Sequence, residues 1–586
     1  MNLLGVSGLE NALPFKRAAF PGLDEREYRI AQGMDAAAAL VVDGVLVAAA
    51  EEERFTGKKH TGDFPINAIR YCLSAGGLTI EEIDEIAHGF DYAPYRELYL
   101  RDKTSSALYD QVFSREALLH QVHRNLPQFP AGRVFRVDHH LAHAASAAYT
   151  SGWDECLVVV NDAMGETESL SVYDFHDGKL EKVGSVGAND SIGVLYSLVT
   201  LHLGFDFNSD EYKIMGLAPY GDPSRFRSFF NQAVELRDDG TYRIPILKLN
   251  RTREERESYL ATRSYLDEHL ILRRIPADPI TQIHEDVAAA LQECLEKVVL
   301  HVCGHFARKT GLRRIALAGG VALNCTANGR LMHSGLFDQV YVQPVAGDDG
   351  VALGAAMYRA SLAGNVKNER MPVPLYGPRY SSREIESSLR RFGDRVQWQH
   401  LDSLGASCAR AARLIADGRV IAWARGRMEY GPRALGNRSI LADPGHPEMR
   451  DRINTMVKKR EAFRPFAPAC SFKEAPRWFE IEPGEQHPYM ISVVNVRPEV
   501  RAMLPAVTHI NGSARLQTVS ASDNPDFHAL LLAVGETTGR QMVLNTSFNV
   551  KGQPIVNTPE EAIETFLGTG IEFLFLENYH VARSAA

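Results

Sequence analysis

Two histidines stand four residues apart in the run Asp138-His139-His140-Leu-Ala-His143, which continues into Ala-Ala-Ser-Ala-Ala. Alanine favours a helix, and residues four apart project from one helical face, so we expect the imidazoles of His139 and His143 to lie side by side. His140 would then point elsewhere. This spacing is a common way to bind one metal ion, although such pairs are more often ordinary surface or packing residues. The pair therefore predicts a metal site only if further ligands join it.

Aspartates at predicted strand ends are the candidates for those further ligands. Asp162 and Asp348 each end an apolar run at a turn. With two imidazoles they would form a mixed nitrogen and oxygen site, which suits iron, manganese or zinc. The spacing does not decide between Asp348 and its neighbour Asp349. Asp35 lies in a turn that corresponds to the turn of Asp162.

A glycine turn in the run Leu317-Ala-Gly-Gly-Val-Ala-Leu-Asn324 follows a predicted strand and enters a predicted helix. At such a turn, backbone N–H groups can face a phosphate or an adenosine. The segment Met215–Gly221 could line a ligand or only turn a corner. Because two glycines after a strand are usually just a tight connection, the order of these turns along the chain carries more weight than either turn alone.

Basic residues cluster in the second half of the chain, where Arg433 and Arg438 are followed by Lys458-Lys459-Arg460 and Arg464. Charged runs usually form a solvated helix face. Here the two first arginines stand among Gly, Pro, Asn and Ser, which is a loop composition, and Arg464 is flanked by phenylalanine and proline. Arginines held in this way bind phosphate oxygens in a bidentate manner, so the cluster predicts an anion site. Further donors in this half are Arg515 and the loop Asn545–Asn549.

The elements that would position these residues alternate between strands and helices. Predicted strands and hairpins cover Leu3–Ser7, Ala36–Glu51 with a turn at Asp43-Gly44, Cys156–Asp162, Glu168–Phe175 with a turn at Asp177-Gly178, Ile315–Ala318 and Val340–Pro344. Predicted helices follow at Ile66–Ser74 and at Ile80–Glu85, with Thr79 as cap. The strand–turn–strand–turn–strand arrangement occurs twice, which indicates an internal duplication typical of the actin-like ATPase fold.

The segment 363–380 mixes Gly, Asn, Lys and prolines without apolar periodicity, so we expect a linker at 366–380. It would join an actin-like domain over 1–365 to an independent α/β domain over 381–586, in which Leu404–Asp417 is a predicted helix and Val420–Ala424 a predicted strand. The predicted fold class is thus α/β in both domains.

Composition excludes several classes of protein. The net charge of −9 disfavours general binding to nucleic acid or to an anionic membrane, so anions must be held by local basic clusters. No signal peptide or transmembrane segment is expected. The seven cysteines are scattered without CxxC spacing, which indicates reduced thiols and predicts a cytoplasmic protein. The oligomeric state, monomer or homodimer, is left open.

Taken together, these motifs resemble the O-carbamoyltransferase family that includes the nodulation-factor, cephamycin and tobramycin carbamoyltransferases. The string Glu429-Tyr-Gly-Pro-Arg-Ala-Leu-Gly-Asn-Arg-Ser-Ile-Leu441 is the most specific of them. The other similar stretches are Glu51–Thr56 with Lys59-His60, the His139/His143 motif, Met215–Gly221, Ala318–Asn324, Gly347–Gly350, Lys458–Pro468 and Asn545–Asn549.

The resemblance implies a C-terminal YrdC-like domain that makes carbamoyladenylate from carbamoyl phosphate and ATP, and an N-terminal actin-like domain that transfers the carbamoyl group to a hydroxyl of a small molecule with the help of a metal, often iron. Mg²⁺ is expected with ATP. The site residues that it implies are Asp35, His139 and Asp348 for catalysis, His139, His143, Asp162 and Asp348 as metal ligands, Gly319, Gly320 and Asn324 at the nucleotide, and Arg433, Lys458, Arg464, Arg515, Asn545 and Ser547 at carbamoyl phosphate and the adenylate.

Three departures from the family pattern limit this transfer. The family usually has histidine before the first acidic residue, whereas this chain has Met34-Asp35, so any role of that histidine is missing or supplied elsewhere. Residues 9–33 form an extra segment ahead of that turn. The turn after Asp162 carries Ala-Met in place of a more glycine-rich sequence.

Three other functions fit parts of the sequence. A tRNA threonylcarbamoyl-type transferase shares the actin-like half but would usually have a basic surface, which the acidic total disfavours. A non-catalytic nucleotide-binding regulator would not need the metal-type and anion-type residues of both halves. A sugar kinase of the actin-like fold would leave the second domain without a purpose. Nothing in the sequence identifies the acceptor.

Overall fold

The computed structural model describes residues 1–458, 461 and 463–584. These residues form two compact units. The first unit contains residues 1–53 and 60–371, and the second contains residues 54–59 with the described residues from Pro372 onward. The boundary between the two units follows Met371. It lies within residues 365–380, which contain no helix or strand.

The strands of the first unit form two five-stranded sheets and one two-stranded sheet. They are β1 (Asn2–Val6), β2 (Ala37–Val42), β3 (Val45–Glu51), β4 (Glu85–His88), β5 (Val134–Arg136), β6 (Glu155–Asn161), β7 (Glu168–His176), β8 (Lys179–Gly187), β9 (Glu235–Leu236), β10 (Tyr242–Arg243), β11 (Arg314–Ala318) and β12 (Gln339–Val342).

The two larger sheets have the same topology. The strand order is β3-β2-β1-β4-β5 in one and β8-β7-β6-β11-β12 in the other. In each sheet the first three strands are an antiparallel meander, and the last two pair in parallel beside the first strand. This correspondence confirms the predicted duplication and the actin-like fold class. The carboxyl ends of β1, β4, β6 and β11 are therefore the places where side chains of the two halves can serve equivalent roles.

Helices cover these sheets, and the α-helices up to residue 371 are α1 (Ala12–Ala19), α2 (Glu25–Tyr28), α3 (Glu53–Thr56), α4 (Ile66–Gly76), α5 (Arg96–Tyr99), α6 (Lys103–Leu108), α7 (Arg115–Asn125), α8 (His139–Ala148), α9 (Ile192–His202), α10 (Glu211–Leu217), α11 (Arg227–Ala233), α12 (Arg253–Ser258), α13 (Leu260–His269), α14 (Gln282–Thr310), α15 (Cys325–Met332) and α16 (Asp349–Leu362).

Helix α16 lies in close contact with both β1 and α8. A Cβ atom on Gly354 would stand 1.8 Å from the carbonyl oxygen of Ala142, and a Cβ on Gly5 would stand 1.8 Å from that of Ala352. Only glycine allows backbones to approach this closely. The glycines thus bring the start of α16, where Asp348 lies, against the helix that carries His139.

The second unit is built on a mixed eight-stranded sheet with the order β13-β22-β21-β14-β15-β20-β16-β19, and on the two-stranded sheet β17-β18. Its strands are β13 (Val396–His400), β14 (Ile421–Ala424), β15 (Arg438–Ala442), β16 (Ala467–Ser471), β17 (Val493–Asn495), β18 (Ser513–Arg515), β19 (Gln517–Val519), β20 (Met542–Ser547), β21 (Phe573–Leu576) and β22 (Tyr579–Arg583). Its α-helices are α17 (Ser382–Phe392), α18 (Leu404–Ala416), α19 (Met449–Ile453), α20 (Ala475–Trp478), α21 (Pro525–Thr538) and α22 (Pro559–Leu567).

Both faces of this larger sheet are covered. In β14 the alternate residues Ile421 and Trp423 belong to one apolar core, with residues of α18 and α21. Ala422 and Ala424 belong to the other core, with residues of α17 and α22. Successive side chains of a strand point to opposite faces, so a strand covered on both sides reads as a continuous apolar run. The predicted α/β architecture of this half is confirmed.

One predicted helix is wrong. Residues Ile80–Glu82 form only a 3₁₀ turn, for which Thr79 does provide the cap. Glu85, predicted as the helix end, begins β4, which pairs in parallel with β1. Pairing with a central strand outweighs the weak helical preference of so short a segment.

The described residues include no helix that is both long and apolar enough to cross a bilayer. All seven cysteines are buried free thiols.

Candidate active site

Helix α8 places two imidazoles side by side. Its N-cap is Asp138, whose Oδ1 accepts from the N–H of Leu141 at 2.9 Å. The Nε2 atoms of His139 and His143 are 3.2 Å apart, and both side chains are fully buried. The helical spacing thus has the consequence that was predicted from the sequence.

Two carboxylates complete the cluster. From His139 Nε2, the distance is 3.4 Å to Asp162 Oδ2 and 3.5 Å to Asp348 Oδ1, and His143 Nε2 lies 3.6 Å from the same oxygen of Asp348. The ligand atoms of all four residues lie within 4.8 Å of one another and could hold a metal ion. Asp349 instead begins α16 and accepts from the N–H of Gly350, so the structure favours Asp348 where the spacing left both open.

Hydrogen bonds and stacking orient the two rings toward the cluster. His139 donates from Nδ1 to the carbonyl of Gly89 at 3.1 Å, so Nε2 is the ring atom that faces the carboxylates and could bind a metal ion. The ring of Phe90 stacks on that of His139 with centroids 4.1 Å apart. His143 Nδ1 is buried and has no hydrogen-bond partner within the described residues. This donor set fits a divalent cation.

The electrostatics of the cluster agree with that fit. Burial alone would lower the pKa of His139, but the carboxylates of Asp348 and Asp162 raise it well above its usual value. Burial acts to raise the pKa of Asp162 and of Asp348, yet the neighbouring imidazoles lower both. The carboxylates therefore stay ionised and supply the negative charge that a bound cation requires, whereas His139 must give up its proton to bind one.

His140 points away from the cluster, as predicted. Its Nδ1 lies 2.7 Å from Ser171 Oγ, which in turn donates to Glu168 Oε2 at 2.6 Å. Burial, followed by the charge of His139, lowers the pKa of His140 well below its usual value. His140 is thus a buried residue that packs helix α8 against the second sheet.

Glu166 was not identified from the sequence. Its carboxylate accepts from the backbone N–H of His139 at 3.0 and 3.1 Å and from that of Asp91 at 2.7 Å. Burial, and next the charge of Asp138, raise the pKa of Glu166 to about 7. The side chain caps the start of α8 and so fixes the position of His139. Its only sequence signal is an acidic residue in the turn after β6.

The glycine turn after β11 contacts the cluster of His139, His143, Asp162 and Asp348, hereafter the metal-type cluster. Gly320 donates its N–H to Asp162 Oδ1 at 2.9 Å. Gly319 has a φ of +88°, and a Cβ there would stand 2.4 Å from the carbonyl oxygen of Asn161. Asn324 caps α15 through the N–H of Ala327 and also pairs with the amide of Gln292. The turn therefore holds Asp162 in place, and Asn324 holds the helix behind it.

Asp35 is paired with His60, a residue that the sequence suggested only as part of the stretch Lys59-His60. His60 donates from Nδ1 to Asp35 Oδ1 at 2.7 Å, and its backbone N–H donates to Glu53 Oε2 at 2.9 Å. The ligand atoms of these three residues also lie within 4.8 Å of one another.

In the second unit, Arg438 is buried and bound by the backbone. Its guanidinium donates to the carbonyl oxygens of Arg425, Gly426, Asn437 and Pro378. Its role is to hold the loop in shape. The same loop is anchored by Glu429, whose Oε1 accepts from the N–H groups of Leu435, Asn437 and Arg438.

Lys458, Ser547 and Asn545 lie around the end of β20. Lys458 Nζ donates to the carbonyl oxygen of Ser547 at 2.5 Å and to Asn549 Oδ1 at 2.7 Å. Asn545 donates to the carbonyl of Ala434 and to Gln517 Oε1. The Oδ1 atom of Asn545 is buried and accepts no hydrogen bond from the described residues.

Three further arginines besides Arg438 were predicted to bind the anion. Arg515, at the end of β18, has a buried Nε without a hydrogen-bond partner in the part of the chain that the structure describes. Arg464 lies 3.6 Å from Glu461, and Arg433 follows Gly431, whose carbonyl accepts from Arg54 at 2.9 Å. Arg54 was missed as a separate contributor to this loop. The predicted basic residues Lys459 and Arg460 lie outside the described residues.

Comparison with known proteins assigns the family. The description "Carbamoyltransferase N-terminus" matches residues 30–357, and "Carbamoyltransferase C-terminus" matches residues 412–583. The chain belongs to the carbamoyltransferase family, and it is a carbamoyltransferase enzyme.

Individual proteins are similar to this chain over long stretches. The nodulation protein NolNO of Sinorhizobium fredii is 40% identical over 559 residues, which cover 94% of this chain and 79% of the relative. The 3'-hydroxymethylcephem-O-carbamoyltransferase of Streptomyces clavuligerus is 33% identical over 361 residues, or 61% of each chain. Among solved structures, HypF of T. kodakarensis is similar with a TM-score of 0.30 and 14% identity, over 63% of this chain and 48% of that one.

Proposed function

We propose that this enzyme is an ATP-dependent O-carbamoyltransferase that makes carbamoyladenylate in its second unit and transfers the carbamoyl group to a hydroxyl of a small molecule in its first unit. One observation supports this division of the two reactions between the units. The residues that could bind a metal ion converge in the first unit, whereas the candidate anion-binding residues belong to the second. We further propose a cytoplasmic location and a natural product, such as an antibiotic, as the acceptor.

The first reaction consumes carbamoyl phosphate, ATP and one water molecule. The bond between the carbamoyl group and phosphate is broken to give carbamate and phosphate. A carbamate oxygen then attacks the α-phosphorus of ATP, and pyrophosphate leaves with the electron pair of the broken bond. The product is carbamoyladenylate, a mixed anhydride.

Cationic side chains suit this step because negative charge is redistributed among phosphate oxygens and no protein nucleophile is needed. Arg515 offers a buried Nε for such an oxygen. We assign Arg433, Arg464 and Lys458 to the same task, with Mg²⁺ accompanying ATP. We propose that the buried Oδ1 of Asn545 accepts from an amino group such as that of the carbamoyl moiety; Ser547 lies beside Lys458.

In the first unit, His139, His143, Asp162 and Asp348 would hold the metal ion, for which we propose iron. Such an ion supplies Lewis acidity that polarises a carbonyl or phosphoryl oxygen. Gly320 and Glu166 keep Asp162 and His139 in position. The backbone of Gly319 and Gly320 and the helix capped by Asn324 would contact the nucleotide part of the adenylate.

The division of labour is tested with two variants. Arg464→Ala should abolish the release of pyrophosphate that depends on carbamoyl phosphate. His139→Ala should spare pyrophosphate in the first turnover and stop carbamoylation of the acceptor. Failure of both variants at the same step would contradict the proposed division.

Simple measurements distinguish the proposed function from two alternative functions. A tRNA threonylcarbamoyl-type transferase would bind tRNA at moderate salt, and we expect no such binding for a chain of net charge −9. A nucleotide-binding regulator would release no pyrophosphate in response to carbamoyl phosphate.

A further inference from the structure

Outside the metal-type cluster, the first unit contains the pair Asp35 and His60, with the 2.7 Å hydrogen bond described above. The side chain of His60 is 18% exposed and that of Asp35 is 33% exposed. The imidazoles of His139 and His143, in contrast, are fully buried. The pair is therefore partly open to solvent at its edge, whereas Nε2 of His60 is itself buried and faces the protein interior.

The backbone fixes this pair firmly. Glu53 accepts from the N–H of His60, and the N–H of Ala36 donates to the carbonyl of Thr61 at 2.9 Å. Both Asp35 and His60 have a φ of +56°, which is uncommon for residues with a side chain. Surrounding contacts thus hold both residues in a conformation that an unconstrained segment would rarely adopt.

The pair lies at the same edge of the first sheet as the metal-type cluster. Asp35 precedes β2, which runs antiparallel to β1, so it lies near the carboxyl end of β1. The parallel strand β4 ends at His88, whose Nε2 donates to the carbonyl of Gly8 at 2.9 Å. Phe90, two residues later, stacks on His139.

A second connection comes from the segment before Asp35. The side chain of Gln32 donates to the carbonyl oxygens of Met164 and Gly165, both at 2.8 Å. These two residues form the turn that follows Asp162. The extra segment thus bridges the first turn of one half to the equivalent turn of the other.

The hydrogen bond of the pair suits proton removal. Because Nδ1 of His60 is engaged with Asp35, Nε2 is the ring nitrogen that would take up a proton. Aspartate in this position fixes the tautomer and stabilises the imidazolium that forms.

We propose that His60 is the general base of carbamoyl transfer and that Asp35 positions it. This inference rests on the proposed function. In the step, the acceptor oxygen forms a bond to the carbamoyl carbon while its proton moves to His60 Nε2. The bond between that carbon and the oxygen of AMP breaks, and AMP leaves with the electron pair.

A metal ion held by Asp35, Glu53 and His60 is the competing assignment, because their ligand atoms are close enough. The hydrogen bonds favour the base. Both carboxylates already accept from N–H groups of His60, one from the ring and one from the backbone. The experiment below separates the two assignments.

The test replaces His60 with glycine, which adopts positive φ without strain. The acceptor probes are 3'-hydroxymethylcephem and water, since attack of water on the adenylate also releases AMP. We expect His60→Gly to lower the rate of transfer by about 10²- to 10⁴-fold, the usual contribution of a general base. Pyrophosphate in the first turnover and the metal content should not change, and added imidazole should restore transfer in proportion to its concentration.

His176→Ala is the matched control. His176 Nδ1 lies 2.7 Å from Asp174 Oδ1, the same pairing on an exposed strand end of the same unit. This variant should transfer at the normal rate and not respond to imidazole. Asp35→Asn should transfer more slowly than the unchanged enzyme and should not be rescued by imidazole.

Three results would overturn the inference: unchanged transfer in His60→Gly, a loss that imidazole does not restore, or the loss of a bound metal ion from that variant. If the unchanged enzyme releases no pyrophosphate from ATP and carbamoyl phosphate, the proposed function fails instead. The two failures are therefore distinguishable.

Discussion

In the first unit, the polar side chains of the metal-type cluster face one another. In the second unit, the basic side chains of the loop around Arg438 mostly contact backbone carbonyl oxygens. His139 lies within 3.5 Å of two carboxylates and 3.2 Å of another imidazole. Arg438, in contrast, donates to four carbonyl oxygens. In the first unit, the groups that the sequence marks for binding are the ones that converge.

In the second unit, the number of cationic residues overstates the number available to a ligand. Arg438 maintains the loop, and Lys458 already donates to Ser547 and Asn549, so a phosphate contact of Lys458 would compete with these bonds. Buried polar atoms are normally hydrogen-bonded, so the exceptions deserve an explanation. The exceptions among the predicted contacts include Arg515 Nε and Asn545 Oδ1, and these atoms are the best candidates for direct ligand contacts.

The largest effect is expected from His143→Ala, which removes one ligand of the first cluster. Because the imidazole is fully buried, no solvent group replaces it at once. We expect bound metal to be lost and transfer to fall by more than about 10²-fold, since even the outer partners of metal ligands contribute about 10- to 100-fold. His202→Ala, which removes another buried imidazole of the first unit, should keep the metal. Metal retained by His143→Ala would show that this residue is not a ligand.

Arg515→Met tests the second unit. The substitution removes a guanidinium whose Nε is buried without a partner among the described residues, and it keeps much of the apolar volume. Loss of one donor to developing charge costs about 10²- to 10³-fold, so the release of pyrophosphate should fall by that factor while the metal content stays constant. Arg477→Met, which changes an arginine paired with Glu474 on the surface, is the control. Equal activity of the two variants would rule out Arg515 as a phosphate contact.

A change of pH should act on the first unit through metal binding. The pKa of His139 is raised by Asp348 and Asp162, against the effect of burial, so the imidazole of the metal-free protein holds its proton to higher pH than a free histidine. A metal ion must displace that proton, so its affinity should fall by about tenfold for each pH unit below the pKa of the folded protein. Metal content after dialysis at a series of pH values measures this. An affinity independent of pH would contradict the shift.

The smallest effect is expected on stability, from Glu429→Gln. The buried carboxylate accepts from three backbone N–H groups of the loop, and the amide loses the charge that strengthens those bonds. We expect a cost of about 1–3 kcal/mol in the free energy of unfolding. Glu482→Gln, on an exposed residue, should unfold like the unchanged protein. Equal midpoints of urea unfolding for both variants would show that Glu429 does not anchor the loop.

Local pattern determined a large part of this protein. Apolar runs separated by Asp-Gly turns predicted the duplicated strands, because a strand and its tight turn are specified by neighbouring residues. The helical spacing of His139 and His143 predicted their shared face. Asp162 and Asp348 were predicted as ligands because each ends an apolar run at a turn, where a carboxylate can join two imidazoles in a mixed nitrogen and oxygen site.

Tertiary structure decided what neighbouring residues cannot specify. Asp348 is distinguished from Asp349 only by the packing of α16 on α8, which requires Gly354. The pairing of His60 with Asp35 joins residues 25 positions apart, and the buried bonds of Arg438 extend to Pro378. A residue type reveals which chemistry is available, but the partner of each polar atom depends on contacts between distant segments, and those form only when the chain folds.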